Sequence, residues 1–123
     1  MLELMIVSNF SAAHQLRDYG GKCEALHGHN WKVEVFVKSP TTDKSGMVID
    51  FIEIKRVTNQ LLTELDHKEL NKTSPFDEKN PTAENIAFWI FGKLSERLNS
   101  GNVKVSRVRV WETDTSCATY SEE

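Results

Sequence analysis

From Leu2 to His14, apolar and polar positions alternate: Leu2, Leu4, Ile6, Phe10, Ala12 and His14 share one parity. A strand sends such residues to one face, so the segment predicts a half-buried β-strand ending in an imidazole on its apolar face. Arg17 to Lys22, with Gly20-Gly21, predicts a loop. Trp31, Val33, Val35 and Val37 then alternate with Lys32, Glu34 and Lys38, which predicts a second strand antiparallel to the first. Pro40 to Gly46 is turn-like, and Met47-Val48-Ile49 is expected to extend the sheet briefly.

The period changes at Asp50. Asp50 suits an N-cap, Glu53 follows three positions later, and Phe51, Ile54, Val57, Leu61, Leu62 and Leu65 form a helical stripe. After a polar loop from Asn71 to Asn80, Pro81-Thr82 opens a second helix. Thr82 is its expected N-cap, and Ile86, Ile90, Leu94 and Leu98 its apolar stripe. Gly101 ends it. Val103 and Val105 are odd in parity, whereas Val108, Val110 and Glu112 are even, and this switch predicts a β-bulge near Ser106-Arg107. Ser116 to Tyr120 predicts a last edge strand. The order strand, strand, helix, helix, strand, strand implies an α+β fold with a four-stranded antiparallel sheet. Its exposed edges need cover, and oligomerisation is one solution.

The length of 123 residues, 39% of them hydrophobic and 27% charged, fits a single domain spanning 1–123. A net charge of −3 and a pI near 5.8 argue against a nucleic-acid coat or a polybasic membrane patch. No apolar run approaches the roughly 18 residues of a membrane span, and Met1-Leu2-Glu3-Leu4 lacks the pattern of a signal peptide. Two cysteines, Cys23 and Cys117, are too few for a disulfide framework and are read as reduced thiols of a cytoplasmic protein. Cys117 has no motif around it.

Candidate chemistry concentrates between Cys23 and Asn30, Cys-Glu-Ala-Leu-His-Gly-His-Asn. In an extended segment His27 and His29 point to one face and can aim two nitrogens at one point, with Gly28 leaving room at the backbone. His14 supplies a third imidazole, and three imidazoles with an open fourth position are the usual frame of a catalytic zinc. Cys23 suits either a fourth ligand of a closed structural site or an acid/base thiol beside the ion. His67 follows Asp66 directly, where the first helix ends. The pair suits an oriented proton carrier, or a histidine placed for the helix dipole. Glu112, sharing a side with two valines, needs a cationic or multi-donor partner; an inter-subunit salt bridge is one.

Five segments occur in order: Phe10-Ser11-Ala12-Ala13-His14, the Cys-x3-His-Gly-His-Asn element, Leu65-Asp66-His67, Asn80-Pro81-Thr82-Ala83-Glu84-Asn85 and Trp111-Glu112-Thr113. Together they resemble the 6-pyruvoyl-tetrahydropterin synthase and 6-carboxytetrahydropterin synthase family over nearly the whole chain. The three-residue gap between Cys23 and His27 resembles the bacterial 6-carboxytetrahydropterin synthases of queuosine biosynthesis. The resemblance implies a tunnelling fold, with sheets joined into a barrel, two trimers stacked as a homohexamer, and active sites between subunits. It implies 7,8-dihydroneopterin triphosphate as substrate, zinc (Zn2+) on His14, His27 and His29, and Cys23, Asp66 and His67 as catalytic residues. Glu112 is implied to anchor the pterin and to join the proton relay, with Thr82 as a further pterin contact. The implied product is 6-carboxy-5,6,7,8-tetrahydropterin, formed with release of acetaldehyde and triphosphate. Glu24, beside Cys23, implies an alternative cleavage to 6-hydroxymethyl-7,8-dihydropterin, a folate precursor, alone or as a dual activity. A non-catalytic zinc-stabilised oligomeric module, with Cys23 as fourth ligand, is the reading from another class. Arg17, Lys22 and Lys68 are the cations nearest these motifs in sequence.

Overall fold

Alternation over the first forty residues produces two long strands, β1 (Leu2–His14) and β2 (His27–Ser39), paired antiparallel from Leu2↔Ser39 to His14↔His27. The computed structural model describes residues 1–18 and 24–122, so Cys23 and Lys22 lie outside the described residues. Helix α1 (Phe51–Leu62) begins where the sequence predicts, the Asp50 side chain accepting from the Ile52 amide. Helix α2 (Ala83–Leu98) is capped in the same way by Thr82, whose Oγ1 accepts from the Asn85 amide at 3.1 Å. β4 (Lys104–Thr113) and β5 (Ser116–Ser121) complete the antiparallel set.

The sheet holds one strand more than the pattern predicts. Lys68–Glu69 forms a two-residue β3 parallel to Ala12–Ala13 of β1, giving the order β3-β1-β2-β4-β5. Two residues are too few to show a period, so hydrophobic alternation could not reveal β3. Met47-Val48-Ile49 forms no strand; Val48 and Ile49 pack against the core from a bend instead.

One face of the sheet meets both helices. Ile6 and Phe10 of β1, Trp31, Val33, Val35 and Val37 of β2, and Val105, Val108 and Val110 of β4 join Ile54, Val57 and Leu61 of α1 in one buried cluster. Ile86, Ile90, Leu94 and Leu98 of α2 belong to the same cluster, as their spacing requires. Each such side chain, fully buried, contributes about 1.5–3 kcal/mol. Phe51 begins the α1 stripe in sequence but is half exposed at the helix start, whereas Phe76, in the polar loop, is fully buried. The opposite face is mixed: Glu3 pairs with Arg107 and Glu34 with Arg109, Phe36 lies under the Arg107 guanidinium, and Met5 and Val7 are exposed on it.

The bulge falls where the parity switch predicts. Phe36 pairs with Arg107 and Val37 with Val105, so Ser106 is the extra residue. By absorbing it, β4 keeps Val105 on the helix side and also brings Val108, Val110 and Glu112 to that side. Glu112 therefore reaches the same end of the same face as His14, His27 and His29.

Candidate active site and metal centre

The site stands where the apolar face of β1, β2 and β4 runs out. His14, 1% exposed in its side chain, closes β1; His27 stands opposite it across the ladder, and His29 opposite Ala12. Trp31 forms the floor. It is fully buried, stacks on Phe10 with ring centroids 5.8 Å apart, and donates its indole N–H to the Ala12 carbonyl at 3.2 Å. The rings of His14 and His29 stand edge-on to it, at centroid distances of 4.9 and 5.3 Å.

Two histidines are also held from behind. His14 Nδ1 lies 2.8 Å from the Pro81 carbonyl, and His27 Nδ1 2.8 Å from the Ala25 carbonyl. A carbonyl only accepts, so in both rings Nδ1 carries the proton and Nε2 is left with its lone pair. This is the arrangement of a metal-ligating imidazole, oriented by a hydrogen bond at its other nitrogen. His14, His27, His29 and Glu112 bring one ligand atom each to within 4.8 Å of one another. His14 Nε2 and His29 Nε2 are buried without a hydrogen-bond partner. Buried nitrogens left so are costly unless something binds them, and a cation shared by the three rings would satisfy both at once. Burial holds the His29 pKa below the ordinary histidine value, with His14 and His27 acting in the same direction against the opposing Glu112. The shift favours the neutral ring, the form that binds metal.

The Glu112 carboxylate lies against the imidazoles. Glu112 Oε1 is 3.1 Å from His29 Nε2 and 3.7 Å from His14 Nε2. The residue also lines an open cleft with Ala83, Glu84, Ser116, Cys117, Ala118 and Thr119. Cys117 is exposed there, and nothing around it in the sequence marked it as part of a cleft.

Asp66 and His67 form the second half of the arrangement. Asp66 Oδ1 accepts from the Ser11 amide at 2.9 Å, and Oδ2 lies 2.9 Å from His67 Nδ1. The His67 amide donates to the Ser11 carbonyl at 2.6 Å, and β3 then continues along β1. His67 takes a left-handed φ of 58°, uncommon for a residue with a Cβ and held here by these contacts. The Ser11 amide, first, and His67 hold the Asp66 pKa below the ordinary aspartate range. The imidazole is 82% exposed and shares a cleft with His29, Gly28, Asn30, Ser11 and Lys68. A Cβ at Gly28 would meet only the Ala12 carbonyl at 3.9 Å, so packing within the chain does not demand glycine there.

Other expected residues have structural partners. The Arg17 guanidinium donates to the Phe76 carbonyl, and Asn80 clasps the Arg17 backbone through both its side-chain atoms. Glu24 accepts from the Leu16 amide at 3.2 Å and donates its own amide to the Leu16 carbonyl, drawing together the two ends of the segment between them. Its carboxylate is 3.8 Å from His27 Nδ1, which already donates to Ala25. The segment Asn80-Pro81-Thr82-Ala83-Glu84-Asn85, legible as a helix start, also carries the loop clasp and the carbonyl that orients His14. Cys23, the expected thiol, lies outside the described residues.

A helix-backed α+β sheet with a three-histidine, one-carboxylate centre and an aspartate-held histidine nearby defines the architecture of a candidate metal-dependent enzyme. The chain belongs to the 6-pyruvoyl tetrahydropterin synthase family, whose model matches residues 3–123, and its fold is the tunnelling fold of that family. It is 42% identical to a 6-carboxy-5,6,7,8-tetrahydropterin synthase of Synechocystis, over 91% of this chain and 87% of that protein. It is 40% identical to a dihydroneopterin monophosphate aldolase of Pyrococcus furiosus, over 85% of this chain and 84% of that one. The structure of Caenorhabditis elegans 6-pyruvoyl tetrahydropterin synthase superposes with a TM-score of 0.85 at 26% identity, covering 99% of this chain and 96% of that chain.

Proposed function

We propose that this protein converts 7,8-dihydroneopterin triphosphate, with one water, to 6-carboxy-5,6,7,8-tetrahydropterin, acetaldehyde and triphosphate, in the cytoplasmic route to queuosine and related 7-deazapurines. The observation that carries the metal part is the convergence of three imidazoles, two with buried and unpartnered Nε2 atoms. His14, His27 and His29 would hold zinc, which supplies Lewis acidity toward the substrate's side-chain hydroxyls.

The other roles follow from the chain's own groups. Asp66 accepts the Nδ1 proton of His67, so Nε2 faces outward as the base that takes a side-chain hydroxyl proton and returns it. Cys23, as thiolate, moves the proton at the carbon framework. Glu112 accepts from the adjacent N–H and amino donors of the pterin as a bidentate partner and joins the relay, with Thr82 as a further contact on that side. Because His67 is exposed, a neighbouring subunit of a homohexamer is the cover this reading assigns to it. Lys68, in the same cleft as His67, is the cation placed to meet phosphate.

A second reading has specific support. The Pyrococcus furiosus aldolase is about as similar to this chain as the Synechocystis synthase, so identity does not separate carboxypterin formation from cleavage to 6-hydroxymethyl-7,8-dihydropterin. Glu24 is the residue that distinguishes them: hydroxymethyl product that disappears in Glu24→Ala would assign it the cleavage. The enzymatic reading itself is tested by Cys23→Ala. Turnover is expected to vanish with zinc content and oligomer size unchanged; joint loss of metal and assembly would make the protein a zinc-stabilised module with Cys23 as ligand.

A further inference from the structure

Glu112 stands between two places that both suit its carboxylate. On one side are His14 and His29; on the other is the open cleft with Ala83, Glu84, Ser116, Ala118 and Thr119. We propose that Glu112 is a displaceable fourth metal ligand. In the substrate-free protein it closes the site with His14, His27 and His29, and the pterin edge draws it away, opening that position as the substrate arrives. The inference rests on the metal and pterin roles proposed above and adds a coupling between them.

Geometry supports the first half. Ligand atoms around a tetrahedral zinc, with bonds of about 2.0–2.1 Å, are separated by about 3.3–3.4 Å along each edge. Glu112 Oε1 lies 3.1 Å from His29 Nε2 and 3.7 Å from His14 Nε2, on either side of that edge length. Both nitrogens nevertheless lack a hydrogen-bond partner. The oxygen lies near them but off the line of a ring N–H, as it does when neighbouring ligands face a common centre rather than each other. His14 cannot easily serve as donor to Glu112 in any case, because its Nδ1 proton is committed to Pro81.

The second half follows from chain length and position. The Glu112 side chain is 34% exposed, so packing does not fix it, and its rotatable bonds let it change rotamer toward the cleft. One carboxylate cannot fully serve both a cation and the donor edge of a ring. Zinc and a pterin ring must therefore weaken each other's binding by the same factor, as linkage requires. A metal closed at rest is shielded from stray anions, and only a ligand with the pterin donor edge opens it.

The test uses the intact protein, zinc, cobalt(II) as a spectroscopic substitute, and unsubstituted pterin, which lacks the hydroxylated side chain. Zinc affinity is measured by chelator competition for wild type, Glu112→Gln and Cys23→Ser. Glu112→Gln is expected to weaken zinc at least about tenfold, comparable to the loss when an oriented partner of a ligand is removed, and to change the cobalt visible spectrum. Cys23→Ser should leave both unchanged. Pterin added to wild type should move the cobalt spectrum toward that of Glu112→Gln and weaken zinc, a result that depends on no variant folding correctly. Zinc affinity unaffected by pterin would overturn the proposal. If Glu112→Gln also lost pterin binding while retaining wild-type zinc affinity, the pterin anchor would stand and only the coupling would fall. Failure of the wild type to bind zinc would overturn both.

Discussion

At the scale of single residues, the site depends on which atom of each side chain is already engaged. Pro81 and Ala25 carbonyls occupy Nδ1 of His14 and His27, and the Ser11 amide occupies one oxygen of Asp66. The Asp66 contacts lower its pKa, so they stabilise the fold above the aspartate's unfolded pKa, and that stabilisation is lost as pH falls through the folded pKa. Asp66→Asn should therefore lower the urea midpoint at pH 7, and the gap to wild type should close in acid, below the ordinary aspartate range. A gap that stays constant with pH would mean that shape, rather than charge, matters at this position. His27 and His29, with His14 upstream, and the Asp66–His67 pair stand out in the sequence by residue type and short spacing. Glu112 stands out only by sharing a strand face with valines, and its approach to the histidines is visible only in the folded chain. The carbonyls of Pro81 and Ala25 do not stand out, since every residue has one and only the folded chain shows where it points.

At the scale of elements, alternation and helical period located the four long strands and two helices, including the bulge at Ser106. That bulge matters for function because it brings Glu112 to the histidine face. β3 is not legible in the sequence because two residues carry no period, and Met47-Val48-Ile49 forms no strand because a short apolar run serves a packed bend as well as a strand. The α2 start shows how one segment can serve several ends. Thr82 caps the helix while the carbonyl just before it holds His14. Thr82→Ala should cost about 1 kcal/mol of stability in urea unfolding, and Thr82→Ser should restore it. An unchanged midpoint in Thr82→Ala would free the hydroxyl for the pterin contact proposed for it.

At the scale of the whole molecule, the helices cover one face of the sheet, leaving His67 exposed and much of the β1 edge beyond the short β3 unpaired among the described residues. An exposed edge of this kind invites pairing with another chain, which fits the homohexamer of the proposed function. That sheet edges remain unpaired follows from the order of elements in the sequence; what lies against them does not. Among the described residues no helix is long and apolar enough to cross a membrane. The proposed function has the histidine centre, the Asp66–His67 pair and Cys23 convert dihydroneopterin triphosphate to a carboxypterin. Its most direct test is to give zinc-loaded protein that substrate and identify every pterin product by mass. Carboxytetrahydropterin formed with acetaldehyde is the expected result; hydroxymethyl-dihydropterin as the sole product, or no turnover with zinc bound, would contradict it.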